Sequence, residues 1–257
     1  MLMNTFTFLG TGAADWNIAH RDGFFRRNSS ALLDGKILFD AGAHVFDYLA
    51  CESCPDLLDG VTLVLITHDH EDHVSLDTLR RLAEHHPFAL GADEELLEQL
   101  GDAPGITPLS LPLYETSEHK GYKITPVLAN HDVVLSGKRR AVHYIIETPE
   151  GKTLFYGLDG AWLLRPTWQE MKKHRFDLMV FDCTVGDSDD WRLFEHNTIP
   201  MLRKITDEIL RLKMLNEGGK LVASHLARTL HLDHETTASI LADLSMLTAY
   251  DGLSLVL

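Results

Sequence analysis

Residues 67–73 read THDHEDH and follow directly on the apolar run VTLVLI at 61–66. Three histidines and three acids within seven residues desolvate and repel one another when buried, unless a cation organises them. The run before them has the β-branched and aliphatic composition of a buried strand. The segment after them, SLDTLRRLAEHH, places Leu76, Leu79 and Leu82 on one helical face, with Ser75 as N-cap. A short loop between a strand and a helix can aim several side chains at one point while the scaffold on both sides keeps them aimed. Neutral imidazole and carboxylate are natural ligands for zinc, iron or manganese. His68, His70, Asp72 and His73 form the pattern HxHxDH. Four such groups exceed what one catalytic ion with an open position takes from so short a segment, so two adjacent divalent ions are expected.

The rest of the chain alternates in the same way. Strand-like runs occur at 5–9 (TFTFL), 36–42 (KILFDAG), 122–129 (YKITPVLA), 143–148 (HYIIET), 153–159 (TLFYGLD), 178–183 (LMVFDC) and 220–225 (KLVASH). A second helix is predicted from Asn197 to Asn216, with Ile199, Leu202, Ile205 and Ile209 on one stripe, Pro200 in its first turn and Gly218–Gly219 just past its end. A last helix is predicted over 234–247, carrying Ile240, Leu241, Leu244 and Leu247. Strands, a helix, more strands and then alternating helices and strands predict one α/β domain over 1–257, with two sheets sharing a core.

Three further residues close apolar strands and extend the metal-ligand set. His131 follows ITPVLAN, Asp159 ends TLFYGLD and His225 ends KLVASH. Taken singly, each reads equally as a cap or a satisfied core residue.

Charge and cysteine content narrow the partners. The formal net charge is −15. Nucleic-acid binding rests on basic surface that neutralises phosphates, so long nucleic acid is not expected and small substrates are. The one short basic run, GKRR at 137–140, reads as a solvated loop. Three cysteines, Cys51, Cys54 and Cys183, are too few for a disulfide framework. The CESC pair at 51–54 lacks the second pair that would complete a structural zinc site. The opening MLMNTFTFLGTG has no basic region and no small-residue cleavage site, and no apolar run reaches the ~20 residues of a membrane span. The cytoplasm is the expected compartment, with no membrane partner.

With these residues in view the chain resembles the metallo-β-lactamase-fold hydrolases. The resemblance is carried by HxHxDH, by the later His, Asp and His at strand ends, and by LGTGAA at 9–14, RRNSSALL at 26–33 and ILFDAG at 37–42. It implies a four-layer αβ/βα sandwich with the metals at one edge of the facing sheets. One ion would sit on His68, His70 and His131, and the other on Asp72, His73 and His225, with Asp159 bridging them. Two ions about 3.5–4 Å apart lower the pKa of a bridging water and stabilise charge on the attacked centre. The resemblance also gives Asp72 a part in orienting the resulting hydroxide.

Within that family the phosphodiesterase branch is the better match. It includes ribonuclease Z and the cyclic phosphodiesterase of phosphonate breakdown. The segment FDCTVGDSDDWRLFEHNT at 181–198 is similar to segments in both, and implies that His196 acts at the scissile phosphate as general acid or charge stabiliser. Only 27 residues separate His131 from Asp159, which leaves no room for the RNA-binding arm of ribonuclease Z. The expected substrate is therefore a small phosphate ester, cyclic or open. Thioester or lactone hydrolysis on the same metals is a second reading, and a non-hydrolytic metabolite-binding accessory protein a third. Arg26, Arg27, Ser29 and Ser30 are candidates for contact with a phosphate. Trp16, His20, Phe24 and Phe25 are candidates for a pocket mouth. His231 and His234 read as loop and helix-start residues, GTGAA as a tight turn. Homodimerisation is compatible with all of this.

Overall fold

The computed structural model describes residues 3–16, 24–131 and 140–257. Two seven-stranded sheets face each other. The first has the order β14 (Ser254–Val256), β1 (Thr5–Gly10), β2 (Ser30–Leu33), β3 (Ile37–Phe39), β4 (Leu63–Leu65), β5 (Phe88–Gly91), β6 (Ile106–Pro108). The second runs β13 (Met246–Thr248), β12 (Leu215–Ser224), β11 (Phe176–Asp182), β10 (Thr153–Gly157), β9 (Val142–Glu147), β8 (Tyr122–Leu128), β7 (Ser117–His119). In each sheet one half is parallel and the other antiparallel.

The central strands read as continuous apolar runs because both of their faces are buried. Along β3, Ile37 and Phe39 enter the core between the sheets while Leu38 turns to the outer layer. The same alternation puts Leu154 and Tyr156 of β10 between the sheets and Phe155 outside. Helices α1 (Val45–Cys51), α2 (Leu76–His85) and α3 (Glu94–Leu100) cover the first sheet, packing Tyr48, Leu79, Leu82 and Leu96 against Val64 and Leu90. Helices α4 (Arg165–Met171), α5 (Ile199–Arg211) and α6 (His234–Ala242) cover the second, with Leu202, Ile209 and Leu241 against Met179 and Phe181. The result is the expected helix–sheet–sheet–helix sandwich. Ser75 caps α2, its Oγ accepting from the Thr78 N–H at 3.3 Å.

Two predicted helices are shorter than expected. The one over 197–216 stops at Arg211, because Lys213 takes a left-handed φ of 53° and Leu215 begins β12. Gly218–Gly219 therefore lies inside a strand, where the pairing of β12 with β11 shifts register between Phe176 and Leu178. The one over 234–247 stops at Ala242, and Met246–Thr248 instead adds β13 to the sheet edge. In both cases strand pairing outweighs helical periodicity at the helix end. Among the described residues no helix is long and apolar enough to cross a membrane.

Candidate metal centre

The strand ends bring the site together. His68 follows β4, His131 follows β8, Asp159 follows β10 and His225 follows β12, all at carboxyl ends, where open α/β sheets place their ligand sites. Asp40, Asp159 and His225 adopt left-handed φ values of 54°, 54° and 56°. That conformation is uncommon outside glycine, though Asp and His tolerate it best, and it costs of order 1–3 kcal/mol where the surroundings impose it. It turns the chain sharply as it leaves each strand. Gly10 permits the neighbouring approach of the 9–14 turn: a Cβ there would stand 1.9 Å from the Asn28 carbonyl oxygen.

Two groups of side chains converge on the Asp159 carboxylate. Its Oδ2 lies 3.4 Å from His68 Nε2 and 3.7 Å from His131 Nε2, and His131 Nε2 is 3.2 Å from His70 Nδ1. Its Oδ1 lies 3.2 Å from His73 Nε2 and 3.0 Å from His225 Nε2, and Asp72 Oδ2 stands 3.3 Å from the same His225 nitrogen. Within each group the nearest ligand atoms fall inside 4.8 Å of one another. All of these residues are buried except His70, which is half-buried.

Outer partners set which nitrogen each ring presents. His73 Nδ1 donates to Asp40 Oδ2 at 2.9 Å, and Asp40 is fixed by the N–H and hydroxyl of Thr67 at 2.8 and 3.0 Å. His225 Nδ1 donates to the Thr184 hydroxyl at 2.7 Å, which donates onward to Asp182 Oδ1 at 2.7 Å. His131 Nδ1 donates to the Glu195 carbonyl at 3.2 Å. With Nδ1 engaged, Nε2 of each ring faces the cluster with its lone pair, the arrangement characteristic of metal-ligating histidines. Asp40, Thr67, Asp182 and Thr184 carry no sequence signature of this role, because each acts on a ring through tertiary contact.

The donor set fits two divalent cations. His68 Nε2 and Asp159 Oδ1 are buried without a hydrogen-bond partner among the described residues, although each points into the cluster. Burial by itself disfavours a charged His73, yet the carboxylates of Asp159, Asp40 and Asp72 overcome it and raise its pKa well above the usual value. Burial likewise opposes ionisation of Asp159, yet His225 and His73 hold its carboxyl well below the ordinary range. The carboxylates thus concentrate negative charge at the point where these nitrogens meet, which favours cations there.

His196 opens onto the same cavity, which His70, Asp72, His131, Asp159, His225 and Trp191 also line. Its Nδ1 donates to Asp182 Oδ2 at 2.7 Å, and that oxygen also accepts from the Gly160 N–H at 3.0 Å. Burial lowers the pKa of His196, but the Asp182 carboxylate prevails and raises it to about 9. The pairing with Asp182 suits the ring to proton transfer.

The remaining sequence candidates lie elsewhere. Arg27 pairs with Asp47 at 2.8 Å and Asp251 at 3.3 Å, and Arg26 donates to Thr11 and the Ala249 carbonyl. Ser29 Oγ donates to the Gly12 carbonyl and Ser30 Oγ to that of Asp40. The structure thus engages Arg27, Ser29 and Ser30 within the fold and does not place them in the lining of the metal cavity. Ser30 acts on the site indirectly, by holding the backbone of Asp40. Among the described residues Cys51, Cys54 and Cys183 form no disulfide. His20 and residues 137–139 of the basic run lie outside the described residues.

Residues 36–249 match the family described as beta-lactamase superfamily domain. The chain belongs to the beta-lactamase superfamily. Three solved structures agree with it over nearly their full length. The metallo-beta-lactamase fold protein YhfI from Bacillus subtilis aligns with a TM-score of 0.75 at 15% identity, covering 99% of both chains. A diphosphatase of the PhnP family aligns at 0.73 and 19% identity, covering 99% of this chain and 97% of that one. Zinc-bound PqqB from Methylobacterium extorquens aligns at 0.67 and 18% identity, covering 98% and 100%. No curated protein matches by sequence. Outer partners of ligating histidines typically carry about 10–100-fold in metal affinity. Asp40→Ala, which frees His73 to rotate, is expected to weaken binding of added divalent metal by that factor in a chelator competition. An unchanged affinity would show that the core alone holds the ring.

Proposed function

We propose that this chain is a dinuclear-metal phosphodiesterase acting on a small phosphate ester. His68, His70 and His131 would hold one ion, Asp72, His73 and His225 the other, and Asp159 would face both. When bound, such ions lower the pKa of water and place positive charge at the attacked phosphorus. The protein supplies the rest. The Asp72 carboxylate, 3.3 Å from His225 Nε2, orients the attacking group, and burial of the cluster keeps bulk water out. His196, tethered to Asp182 through Nδ1, gives its Nε2 proton to the departing oxygen.

The observation that carries this reading is the Asp182–His196 pair on the wall of the metal cavity. A protonated imidazole beside two metal groups suits an alkoxide leaving group on a phosphate. Likeness to a PhnP-family diphosphatase supports the same chemistry, and likeness to zinc-bound PqqB supports zinc in the site. The net charge of −15 argues against long polyanions. Protein stripped by a chelator and reloaded with zinc, manganese or iron is expected to hydrolyse bis-p-nitrophenyl phosphate with at least one of them. No turnover with any of the three, or faster turnover of a thioester panel, would overturn the reading.

A further inference from the structure

A second cavity of about 280 Å³ adjoins the metal cavity, and Ala227 lines both. The wall between them consists of two clamped segments. Trp16 Nε1 donates to the Leu226 carbonyl at 2.7 Å, while the Arg228 and Thr229 N–H groups donate to the Asp15 carboxylate at 2.7 and 2.9 Å. The 226–229 segment follows His225 directly, so the second cavity begins within two residues of the metal centre.

Its lining is aromatic and cationic. The Phe24 ring stacks on His234 with centroids 4.9 Å apart and planes 14° from parallel, and the Arg26 guanidinium lies 4.9 Å from the Phe24 centroid. Arg26 Nη2 is 2.9 Å from His234 Nδ1. A guanidinium only donates, so Nδ1 accepts and His234 carries its hydrogen on Nε2. Phe24 nevertheless stays 51% exposed and Leu232 66%, which leaves apolar surface open in the cavity. Arg228 donates from Nε to the Asp15 carbonyl at 3.2 Å, and its terminal nitrogens take no partner among the described residues. Asp233 also lines the cavity, but its carboxylate caps α6 through the N–H and hydroxyl of Thr236 at 2.9 and 2.7 Å.

We propose that this cavity receives the alcohol portion of the ester, and that this portion carries an aromatic ring of the nucleobase type. The ring packs against Phe24 and Leu232, and acceptor atoms on its edge meet Arg228 and the Nε2–H of His234. The volume lies just under the roughly 300 Å³ at which pockets for drug-sized ligands begin, so it suits one ring system rather than a chain of nucleotides. The inference rests on the phosphodiesterase reading for the adjoining metals.

The test separates ring binding from hydrolysis. Stacking of a base on an aromatic side chain is worth ~1–3 kcal/mol, a range that contains the ~1.4 kcal/mol of a tenfold change in affinity. Adenosine, which has no phosphate, is expected to bind the metal-loaded protein in titration calorimetry. Binding should weaken about tenfold in Phe24→Ala and in Arg228→Ala, and persist in Phe24→Tyr. The preference in kcat/KM for adenosine 2′,3′-cyclic phosphate over ethylene phosphate, a cyclic diester without a ring, should fall by a similar factor through KM. Absence of adenosine binding, or equal binding in Phe24→Ala, would overturn the subsite. Ring binding that depends on Phe24 in a protein that cleaves no phosphodiester would support the subsite and overturn the assigned reaction instead.

Discussion

An Asp159→Ala variant is expected to retain fewer than two ions per chain and to lose phosphodiesterase activity by more than about 100-fold, beyond what loss of an outer partner costs. The two carboxylate oxygens face different groups, Oδ2 toward His68 and His131 and Oδ1 toward His73 and His225. Removing the side chain therefore withdraws negative charge from both groups at once and leaves each set of imidazoles without the carboxylate that offsets the charge of a bound cation. Asp159→Asn keeps the shape and removes the charge, so it should lie close to Asp159→Ala if charge is what matters. Metal content is read by plasma mass spectrometry and activity on bis-p-nitrophenyl phosphate. Two ions per chain with activity within a few-fold of the parent would place Asp159 outside the metal centre.

The second large effect is expected at His196. As a general acid it contributes about 10²–10⁴-fold when the leaving oxygen needs a proton. His196→Ala should lose that much in kcat on an alkyl phosphodiester, and far less on bis-p-nitrophenyl phosphate, whose leaving group departs readily as the anion. Metal content should not change. The distinction matters because His196 also lies within 4.8 Å of the ligand atoms of Asp159, Asp182 and His225, close enough to act as a ligand itself. Loss of an ion in His196→Ala, or an equal loss on both esters, would remove the proton-donor role.

The legible part of this protein is what neighbouring residues encode together. HxHxDH lies on one loop, so its spacing alone states that four donors meet. The apolar runs of β3, β4, β10 and β11 announce strands buried on both faces, which only a layered sandwich provides. His131, Asp159 and His225 read as candidate ligands only beside a family pattern, since a single polar residue at a strand end has several uses. The ends of α5 and α6 were less legible, because pairing of β12 and β13 with the second sheet, rather than local periodicity, decides where those helices stop.

By itself the sequence determined the chemistry of the donors: imidazole and carboxylate in a pattern that requires cations. Only the tertiary structure decided which nitrogen each ring presents. Asp40 lies 33 residues from the His73 it orients, Thr184 lies 41 from His225, and His73 meets His225 across 152 residues. The same holds for Arg27, Ser29 and Ser30, whose residue types suit phosphate but whose polar atoms the fold engages elsewhere. Side-chain chemistry is written residue by residue, whereas a tautomer, a left-handed turn or a shared wall between two cavities depends on which distant segments pack together. That packing brings the donors at the strand ends to one point and sets the Phe24 cavity beside them.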